Sequence, residues 1–377
     1  MVTTFLYAVF IEQLSRRKSR YRIYACFFQY FNKANHGYGQ NRFTTYEGGI
    51  PMNKRTEKKL ICGMISGMVM LSAFGAQAAE RDERNGMNGG PEGNGGGMGS
   101  IQVETDPEIT AVLDAVSGKF IQETYVDETT GSSLEYSLFV PEDYDASGSY
   151  PMIMFIPDAT GSGKSASEIV SEYYGAAIWA TDEEQEKHAS FVLVPAFSET
   201  VVDDNWNTSD QIETAVSLIN SLTEKYSIDT NRLYTTGQSM GCMTSLYLNS
   251  KYPDLFAASL FVSGQWDVSV LKPLEDAAFF YITAGGDAKA SGGQDEVMDM
   301  LEQDGISFSY GTWNAQNSSD KQDASAQALI AEGNTANFIR FETGSVLNGG
   351  NGMEHMASFN YAYKISVVRD WLFAQSK

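Results

Sequence analysis

Residues 232–243 read Arg-Leu-Tyr-Thr-Thr-Gly-Gln-Ser-Met-Gly-Cys-Met, a strand-like run that leads into a glycine-rich turn. Within it, residues 237–241 match the elbow pattern Gly-x-Ser-x-Gly. In such an elbow the serine lies on a sharp turn between a strand and a helix, and small flanking residues allow the two to pack closely. Ser239 is therefore predicted to be a nucleophile. The amide of Met240, at the start of the helix, is predicted to be one donor to an oxyanion.

Two histidines beyond residue 78, His188 and His355, are candidates for the base that a serine nucleophile needs. His188 follows the charged residues 183–187 and is predicted to lie on the solvated surface. His355 is predicted to lie in a loop between the last strand and the last helix, which suits the base of an elbow serine. We therefore expect His355 to be the general base.

An acidic residue between the serine and the base should orient the histidine, because this elbow type has the chain order serine, acid, histidine. Asp287 fits this position, since residues 279–286 form a predicted strand that runs into a glycine turn. This strand is the second predicted strand after the elbow. Asp267, Asp295 and Asp299 are alternatives, each also explained as a helix cap or a surface charge.

Short strand-like segments alternate with helical patterns from residue 101 onwards. Helical spacing of apolar residues is clearest over residues 209–226, with a predicted capping box of Thr208 and Gln211, and recurs over residues 361–374. The predicted strands are residues 120–126, 134–140, 151–156, 191–195, 232–236, 260–263, 278–283 and 337–342. Two opening strands followed by alternating helices and strands predict an α/β fold, with a mostly parallel central sheet and helices on both faces.

Two runs around the elbow resemble a known family. Residues 226–241, Tyr-Ser-Ile-Asp-Thr-Asn-Arg-Leu-Tyr-Thr-Thr-Gly-Gln-Ser-Met-Gly, and residues 251–258, Lys-Tyr-Pro-Asp-Leu-Phe-Ala-Ala, are similar to secreted esterases related to polyhydroxybutyrate depolymerases. Members of this group are also labelled predicted peptidases or feruloyl and acetyl esterases. The likeness covers most of residues 130–377. It implies the α/β-hydrolase fold, an acyl-enzyme mechanism on an ester bond, and a triad of Ser239, Asp287 and His355.

The loop after the third predicted strand departs from the family pattern. The family usually has His-Gly there to build the second oxyanion donor, whereas this chain has Pro157 and Asp158. Proline has no N–H, so the donor is expected to shift to the amide of Ala159 or Thr160. A carboxylate at Asp158 would slow the reaction unless it points away from the oxyanion. The Val-Pro pair that often follows the acid is absent after Asp287.

Residues 52–78 have the three parts of a secretory signal peptide: basic residues 53–59, an apolar run over 60–74 and a small-x-small cleavage site at 76–78. The apolar run is shorter than the roughly 20 residues that a membrane span needs, so no anchor is expected after cleavage. Ala79 is then the predicted mature N-terminus. The protein is expected to be secreted, either outside the cell or in the cell envelope.

The predicted signal peptide divides the chain into four parts. Because a signal peptide begins at the initiator Met, residues 1–51 are predicted to be an upstream extension, and residues 52–78 the signal itself. Residues 79–100 are predicted to form a flexible leader, since most of them are Gly, Asn, Met, Pro and Glu. Residues 101–377 are predicted to be one catalytic domain.

Acidic residues outnumber basic ones, with 48 Asp and Glu against 26 Lys and Arg, a net charge of -22. Without residues 1–78, 45 acidic and 15 basic residues remain, a net charge of -30. Such a surface repels nucleic acid and anionic lipid, and it favours a neutral polysaccharide ester or polyester over a polyanionic substrate. Of the three cysteines only Cys242 lies beyond residue 78, so no disulfide is expected within the mature chain. Cys242 stands where the family usually has glycine.

Parts of the sequence are also compatible with classes of function other than an esterase. Residues 158–165, Asp-Ala-Thr-Gly-Ser-Gly-Lys-Ser, nearly match a phosphate-binding loop, but Asp158 stands where glycine is needed and would repel phosphate. Nucleotide binding is therefore disfavoured. A serine peptidase of the same fold and a non-catalytic binding protein on a degenerate hydrolase fold stay as alternatives. No motif for a metal or a cofactor is present in the sequence, so none is expected.

Substrate contacts are predicted at Trp206, Gln238 and Trp266. An aryl or sugar site is also compatible with a wider set of aromatic residues, although core packing is their commoner fate. That set is Tyr173, Tyr174, Trp206, Trp266 and Trp313. Specificity is expected to lie in loops at residues 264–272 and 310–334. The expected partner is a small-molecule or polymeric ester.

Overall fold

Nine strands form one sheet in the computed structural model, which describes residues 106–377. They are β1 (Ile121–Val126), β2 (Ser133–Phe139), β3 (Tyr150–Ile156), β4 (Phe191–Ala196), β5 (Ile228–Gln238), β6 (Ala258–Val262), β7 (Phe279–Ala284), β8 (Phe308–Trp313) and β9 (Ala336–Phe341). Their order across the sheet is β1-β2-β4-β3-β5-β6-β7-β9-β8. The pairs β1–β2 and β2–β4 are antiparallel, and all other neighbouring strands are parallel. The predicted α/β fold with a mostly parallel sheet is confirmed.

Helices follow most of the strands. Over the described residues they are α1 (Pro107–Val116), α2 (Ala166–Glu172), α3 (Tyr174–Ala177), α4 (Asp182–Lys187), α5 (Gln211–Lys225), α6 (Met240–Lys251), α7 (Ala288–Asp304), α8 (Ser319–Ile330), α9 (Glu354–Lys364) and α10 (Ser366–Phe373). The helices that connect parallel strands carry the chain back across the sheet, so each strand from β5 to β9 ends at the same edge.

Apolar side chains cover both faces of the sheet because the strand residues alternate between two clusters. Ile153 of β3 belongs to the cluster that includes residues of α2, α8, α9 and α10, whereas Met154 belongs to the cluster that includes residues of α5, α6 and α7. All six residues of β7 are buried. This burial explains why the central strands read as nearly continuous apolar runs in the sequence.

All eight predicted strands overlap observed ones, but the predicted specificity loop at residues 310–334 is wrong. It contains the end of β8 and the whole of α8. β8 lies at the edge of the sheet, and only Ser309 and Trp313 of its six residues are buried. With two buried residues, β8 lacks the apolar run by which the central strands were recognised.

Two predicted helix ends also need correction. The predicted capping box of Thr208 and Gln211 is wrong, since α5 begins at Gln211 and its N-cap, Asp210, makes no side-chain cap bond. The side chain of Gln211 is instead hydrogen-bonded to Ser198, which follows β4. The predicted helix over residues 361–374 is broken at Ile365, where an extended backbone (ψ 98°) separates α9 from α10.

Three of the predicted parts of the chain, residues 1–51, 52–78 and 79–100, lie outside the described residues. The first five residues of the predicted domain at 101–377 lie outside them too. Within residues 106–377, no helix combines the length and the apolar character that crossing a bilayer requires.

Candidate active site

Ser239 occupies a strained turn between β5 and α6. Its φ of 52° and ψ of -115° fall in a region that non-glycine residues rarely adopt. A Cβ on Gly237 would lie 2.4 Å from the carbonyl carbon of Gly241, and a Cβ on Gly241 would lie 1.9 Å from the carbonyl oxygen of Ile156. The elbow therefore requires glycine at both positions, and Gly241 lets α6 approach the end of β3.

Three side chains from separate segments form one hydrogen-bonded chain. Nε2 of His355 lies 2.8 Å from Oγ of Ser239, and Nδ1 of His355 lies 2.6 Å from Oδ2 of Asp287. Ser239 follows β5, Asp287 comes soon after β7 and His355 comes after β9, so all three lie at the carboxyl edge of the parallel strands. The structure thus brings together the three residues that were predicted to act as a triad.

His355 is the second residue of α9 rather than part of a loop, which corrects the prediction of its surroundings. Its carbonyl oxygen accepts a hydrogen bond from Oγ of Ser358 at 2.7 Å, and its ring contacts the edge of Phe359, with ring centroids 5.2 Å apart. The side chain is 34% exposed. The imidazole is therefore fixed from the helix side and open to solvent on another.

Asp287 is the N-cap of α7, where its Oδ1 accepts the amide of Ala290 at 3.2 Å. Burial raises the pKa of Asp287, but the hydrogen bonds from His355 and from the helix amides outweigh it, so the pKa is lowered from its ordinary value. An ionised carboxylate can only accept a hydrogen bond, so Nδ1 of His355 carries the proton. The lone pair of Nε2 then faces the Ser239 hydroxyl.

The lowered pKa of Asp287 predicts the shape of the acid limb of the pH profile. We expect the logarithm of kcat/KM for an uncharged ester to fall with a slope no steeper than one, because Asp287, whose pKa lies below its ordinary value, stays ionised and adds no proton of its own to the change. Rates measured from about pH 4 to about pH 8 test this prediction, and a slope of two would contradict it.

The other candidates for base and acid make contacts of their own. Nε2 of His188 lies 2.9 Å from Oδ1 of Asp370, and its ring stacks on Phe373 with centroids 4.8 Å apart. His188 is therefore half-buried, not solvated as predicted. The acidic alternatives have these surroundings: Asp267 accepts the amide of Ser269, Asp295 pairs with Arg340, and Asp299 is exposed on α7.

Asp158 lies in the loop after β3, next to the elbow. Its Oδ1 accepts the amide of Thr160 at 2.8 Å and the hydroxyl of Thr160 at 2.6 Å, and its Oδ2 accepts Nε2 of Gln238 at 2.8 Å. The residue is 5% exposed, so its carboxylate is directed into this network. Because the amide of Thr160 is occupied, the amide of Ala159 is the better candidate for an oxyanion donor.

The near-match to a phosphate-binding loop at residues 158–165 folds differently from such a loop. Two of its amides are engaged within the protein, since that of Gly161 donates to the carbonyl of Asp158 and that of Gly163 donates to the carbonyl of Phe197. Lys164 pairs with Glu172 at 2.7 Å. These two amides and the lysine are therefore not free to hold phosphate.

The predicted substrate contacts differ in how accessible they are. Trp206 is 40% exposed, whereas Trp266 is buried and meets it edge-on, with ring centroids 5.3 Å apart. Gln238 is buried, and one N–H of its side-chain amide donates to Asp158, so this part of the side chain is already engaged within the protein. The other aromatic candidates are buried in the core: Tyr173, Tyr174 and Trp313.

Cys242 is fully buried in the first turn of α6. Burial raises the pKa of its thiol above the ordinary value, so the sulfur is protonated and is not a competing nucleophile. Among residues 106–377, no group of three or more His, Cys, Asp and Glu side chains is placed to hold a metal ion.

One set of contacts near the triad was not predicted from the sequence. Glu354, directly before His355, accepts the amide of Gly286 at 3.0 Å and the amide of Gly344 at 2.8 Å. The only signal in the sequence is its position beside the base, because the two amides belong to loops 68 and 10 residues away.

The sheet, the strained elbow and the Ser239–His355–Asp287 chain of hydrogen bonds together define an α/β-hydrolase. Residues 128–346, more than half of the chain, match the sequence model of the Esterase family. This protein therefore belongs to the Esterase family. Membership confirms the family and the fold predicted from the sequence, those of esterases with the α/β-hydrolase fold. No curated protein matches the chain significantly.

Solved structures of the same fold include a thermostable esterase, with a TM-score of 0.56 and 23% identity over 70% of this chain. The present chain spans 64% of that structure's length. A feruloyl esterase module from Clostridium thermocellum, complexed with sinapinate, has a TM-score of 0.48 and 14% identity, over 68% of this chain and 88% of its own. A ferulic acid esterase from Anaeromyces mucronatus has a TM-score of 0.40 and 14% identity, over 67% and 91% of the two chains.

Proposed function

We propose that this protein hydrolyses carboxylic esters through an acyl-enzyme on Ser239, with His355 as general base and Asp287 as the group that orients it. The observation that carries the proposal is the continuous chain of hydrogen bonds from Asp287 through His355 to Ser239. A serine at a strained elbow gains nucleophilicity only when such a base is within hydrogen-bond reach.

In the first step, Nε2 of His355 takes the hydroxyl proton of Ser239 while Oγ attacks the ester carbonyl carbon. The imidazolium that forms is stabilised by Asp287, which also keeps the ring in its orientation. The proton then passes to the leaving alcohol, and the acyl group stays on Ser239. In the second step His355 takes a proton from water, which attacks this acyl-enzyme; the acyl–Oγ bond breaks, the acid is released, and His355 returns the proton to Oγ of Ser239.

The negative charge on the carbonyl oxygen needs donors at the elbow, and we assign them to the amides of Met240 and Ala159. Met240 is the first residue of α6, so its amide has no partner within the helix. Ala159 begins a short 3₁₀ turn that is capped by Asp158. The cap orients the turn and keeps the carboxylate on the Thr160 and Gln238 side.

Replacing Ala159 with proline tests the second oxyanion donor, because it removes one N–H without changing the side chains around it. The site suits proline: Ala159 is the first residue of the turn, and Asp158 before it has an extended backbone with φ -70° and ψ 177°. We expect kcat to fall by about 10²- to 10³-fold with little change in KM. Ala159→Gly, which keeps the N–H, is the matched control, and equal kcat values for the two variants would exclude this donor.

Hydrolysis of short-chain p-nitrophenyl esters by the purified protein tests the proposed activity. The Ser239→Ala variant and a peptide p-nitroanilide are measured alongside it. Cleavage of the ester that is lost in the variant supports the esterase, and cleavage of the peptide alone would favour a serine peptidase. Binding of an ester without any turnover would favour a binding protein on a hydrolase fold.

For the substrate we propose a neutral polysaccharide ester or a polyester, with Trp206 at the site. The loop of Trp206 is tied to the segment after β6, where Asp204 accepts Nε2 of Gln265 at 3.0 Å, and to the start of α7 beside Asp287, where Asp204 pairs with Lys289 at 2.5 Å. Trp206 itself has a positive φ of 66° and rests on Trp266. A fixed, exposed indole ring suits a sugar or aryl ring.

The Trp206→Ala variant tests this contact. We expect its KM for an acetylated oligosaccharide to rise by roughly two- to tenfold, and its KM for ethyl acetate, which has no ring, to stay unchanged. Tyr310→Ala removes another exposed aromatic side chain, on the edge strand β8, and serves as the control. If the KM of the variant rises for a hydroxyalkanoate oligomer instead, the result would place a polyester at this ring.

We also propose that the protein is exported and that its signal is removed after Ala78. The support is the order of basic, apolar and small residues over 52–78. N-terminal sequencing of the protein recovered from outside the cell should begin at Ala79. Protein that stays in the cell with an N-terminus before residue 78 would contradict this proposal.

A further inference from the structure

Glu354 links the two loops that flank the acid and the base of the proposed triad. Its Oε2 accepts the amide of Gly286, the residue before Asp287, at 3.0 Å. Its Oε1 accepts the amide of Gly344, in the loop after β9, at 2.8 Å. Glu354 is itself bonded covalently to His355, so one carboxylate connects the acid loop, the loop after β9 and the backbone of the base.

The contact with Gly286 depends on the absence of a side chain there. A Cβ on Gly286 would lie 1.9 Å from Oε1 of Glu354 and 2.2 Å from its carboxylate carbon. Any other residue at this position would push the carboxylate away. The acid loop is therefore shaped to admit Glu354, in the same way as Gly241 admits the end of β3.

The base is held from a second direction as well. Oγ of Ser358, one turn further along α9, donates to the carbonyl of His355 at 2.7 Å and lies 2.7 Å from Oγ of Ser263. Ser263 directly follows β6 and has a positive φ of 49°. The contact between the two serines therefore joins α9 to the end of β6, whereas Glu354 joins it to the loops after β7 and β9.

We propose that Glu354 is a positioning residue: by holding the amides of Gly286 and Gly344 it sets the distance between Asp287 and His355, and through His355 the hydrogen bond to Ser239. This inference rests on the proposed function of the triad. Charge-assisted hydrogen bonds to backbone amides are stronger than neutral ones, which suits a contact that must hold two loops. Small displacements of catalytic groups are costly, since about 1 Å can lower a rate by about a hundredfold.

Variants at Glu354 test the proposal. Glu354→Gln keeps one acceptor oxygen but turns an NH₂ group toward the other amide, so one of the two loops is released. Glu354→Ala releases both. We expect kcat to fall about tenfold in the first variant and about a hundredfold in the second, with KM nearly unchanged because Glu354 acts through His355 and not on the substrate.

Glu342→Gln is the matched control, because it makes the same change of charge on an exposed residue directly after β9. Titration of the reactive serine with a phosphonate probe counts the folded active sites in each sample. Dividing the rate by this count gives a kcat that partial unfolding does not lower. Proton NMR adds a readout that does not depend on turnover: the downfield signal of the His355 Nδ1 proton should shift in Glu354→Gln and stay unchanged in Glu342→Gln.

The outcomes separate this inference from the proposed function. If the wild type hydrolyses esters and Ser239→Ala does not, the function stands. Glu354 variants that then keep the kcat and the NMR signal of Glu342→Gln would overturn the positioning role alone. A rise in KM at unchanged kcat would also overturn it, since that pattern belongs to a substrate contact. An inactive wild type would remove both proposals.

Discussion

Replacing Ser239 with alanine is expected to lower kcat for a p-nitrophenyl ester by about 10⁵- to 10⁶-fold. In the proposed mechanism the hydroxyl is the group that forms a covalent bond to the acyl carbon, so its loss would leave only the proposed oxyanion donors and substrate binding. His355→Ala should cost about as much, and the double variant no more than either single one, because the two residues act as a unit. Steady-state rates at saturating ester measure all three.

A serine near the far end of α6 provides the control for this prediction. Ser250→Ala removes a hydroxyl that donates to the carbonyl of Val270 at the far end of the helix. We expect the kcat of the Ser250→Ala variant to equal that of the wild type. Thermal unfolding should confirm that Ser239→Ala is folded, since alanine meets the same backbone strain at this turn as serine. A Ser239→Ala variant with more than about a hundredth of the wild-type kcat would contradict the assignment of the nucleophile.

Replacing Asp287 with asparagine is expected to lower kcat by about 10⁴-fold without unfolding the protein. The carboxylate accepts the Nδ1 proton of His355, whereas the amide of asparagine can present an NH₂ group and favour the other tautomer. In that tautomer the Nε2 proton faces Ser239, and the ring no longer accepts a proton from it. The lost charge also leaves the imidazolium without its counter-ion.

Asp267→Asn is the matched control for Asp287→Asn, because Asp267 was an alternative acid and also caps a helical turn. Its kcat should stay within about twofold of wild type, since Asp267 makes its hydrogen bond to Ser269, away from His355. Circular dichroism and the thermal midpoint separate catalytic loss from loss of fold. If Asp267→Asn were the variant with the large loss, the acid would be misassigned.

The sequence was most informative where local chemistry imposes a pattern. Glycine is required at 237 and 241 because a side chain there would collide with the backbone of Gly241 or Ile156. The elbow can therefore be predicted from a short run of adjacent residues. The placement of Asp287 and His355 followed from the order of strands and from the connection rules of parallel sheets. Buried strands such as β7 were recognised because both of their faces are apolar.

The features that were missed depend on contacts between distant segments. β8 is half exposed at the edge of the sheet, so its residues carry no strong strand signal. The break between α9 and α10 lies at Ile365, inside a continuous helical pattern of the sequence. The side chain of Ile365 is buried in the core. The hydrogen bond between Glu354 and the amide of Gly286 joins residues 68 positions apart. The orientation of Asp158 depends on Gln238, 80 positions away. Neither contact has a periodic or local signature.

The most direct test of the central claim is to find the residue that carries the covalent intermediate. The protein is treated with diethyl p-nitrophenyl phosphate, which reacts with activated serines and leaves a stable phosphoryl group. Intact mass and peptide mapping then identify the modified residue. We predict one phosphoryl group per molecule, on Ser239, with labelling abolished in Ser239→Ala and slowed at least a thousandfold in His355→Ala, or about 4 kcal/mol of activation free energy. Labelling at another residue, or equally fast labelling of the His355→Ala variant, would contradict the proposed triad.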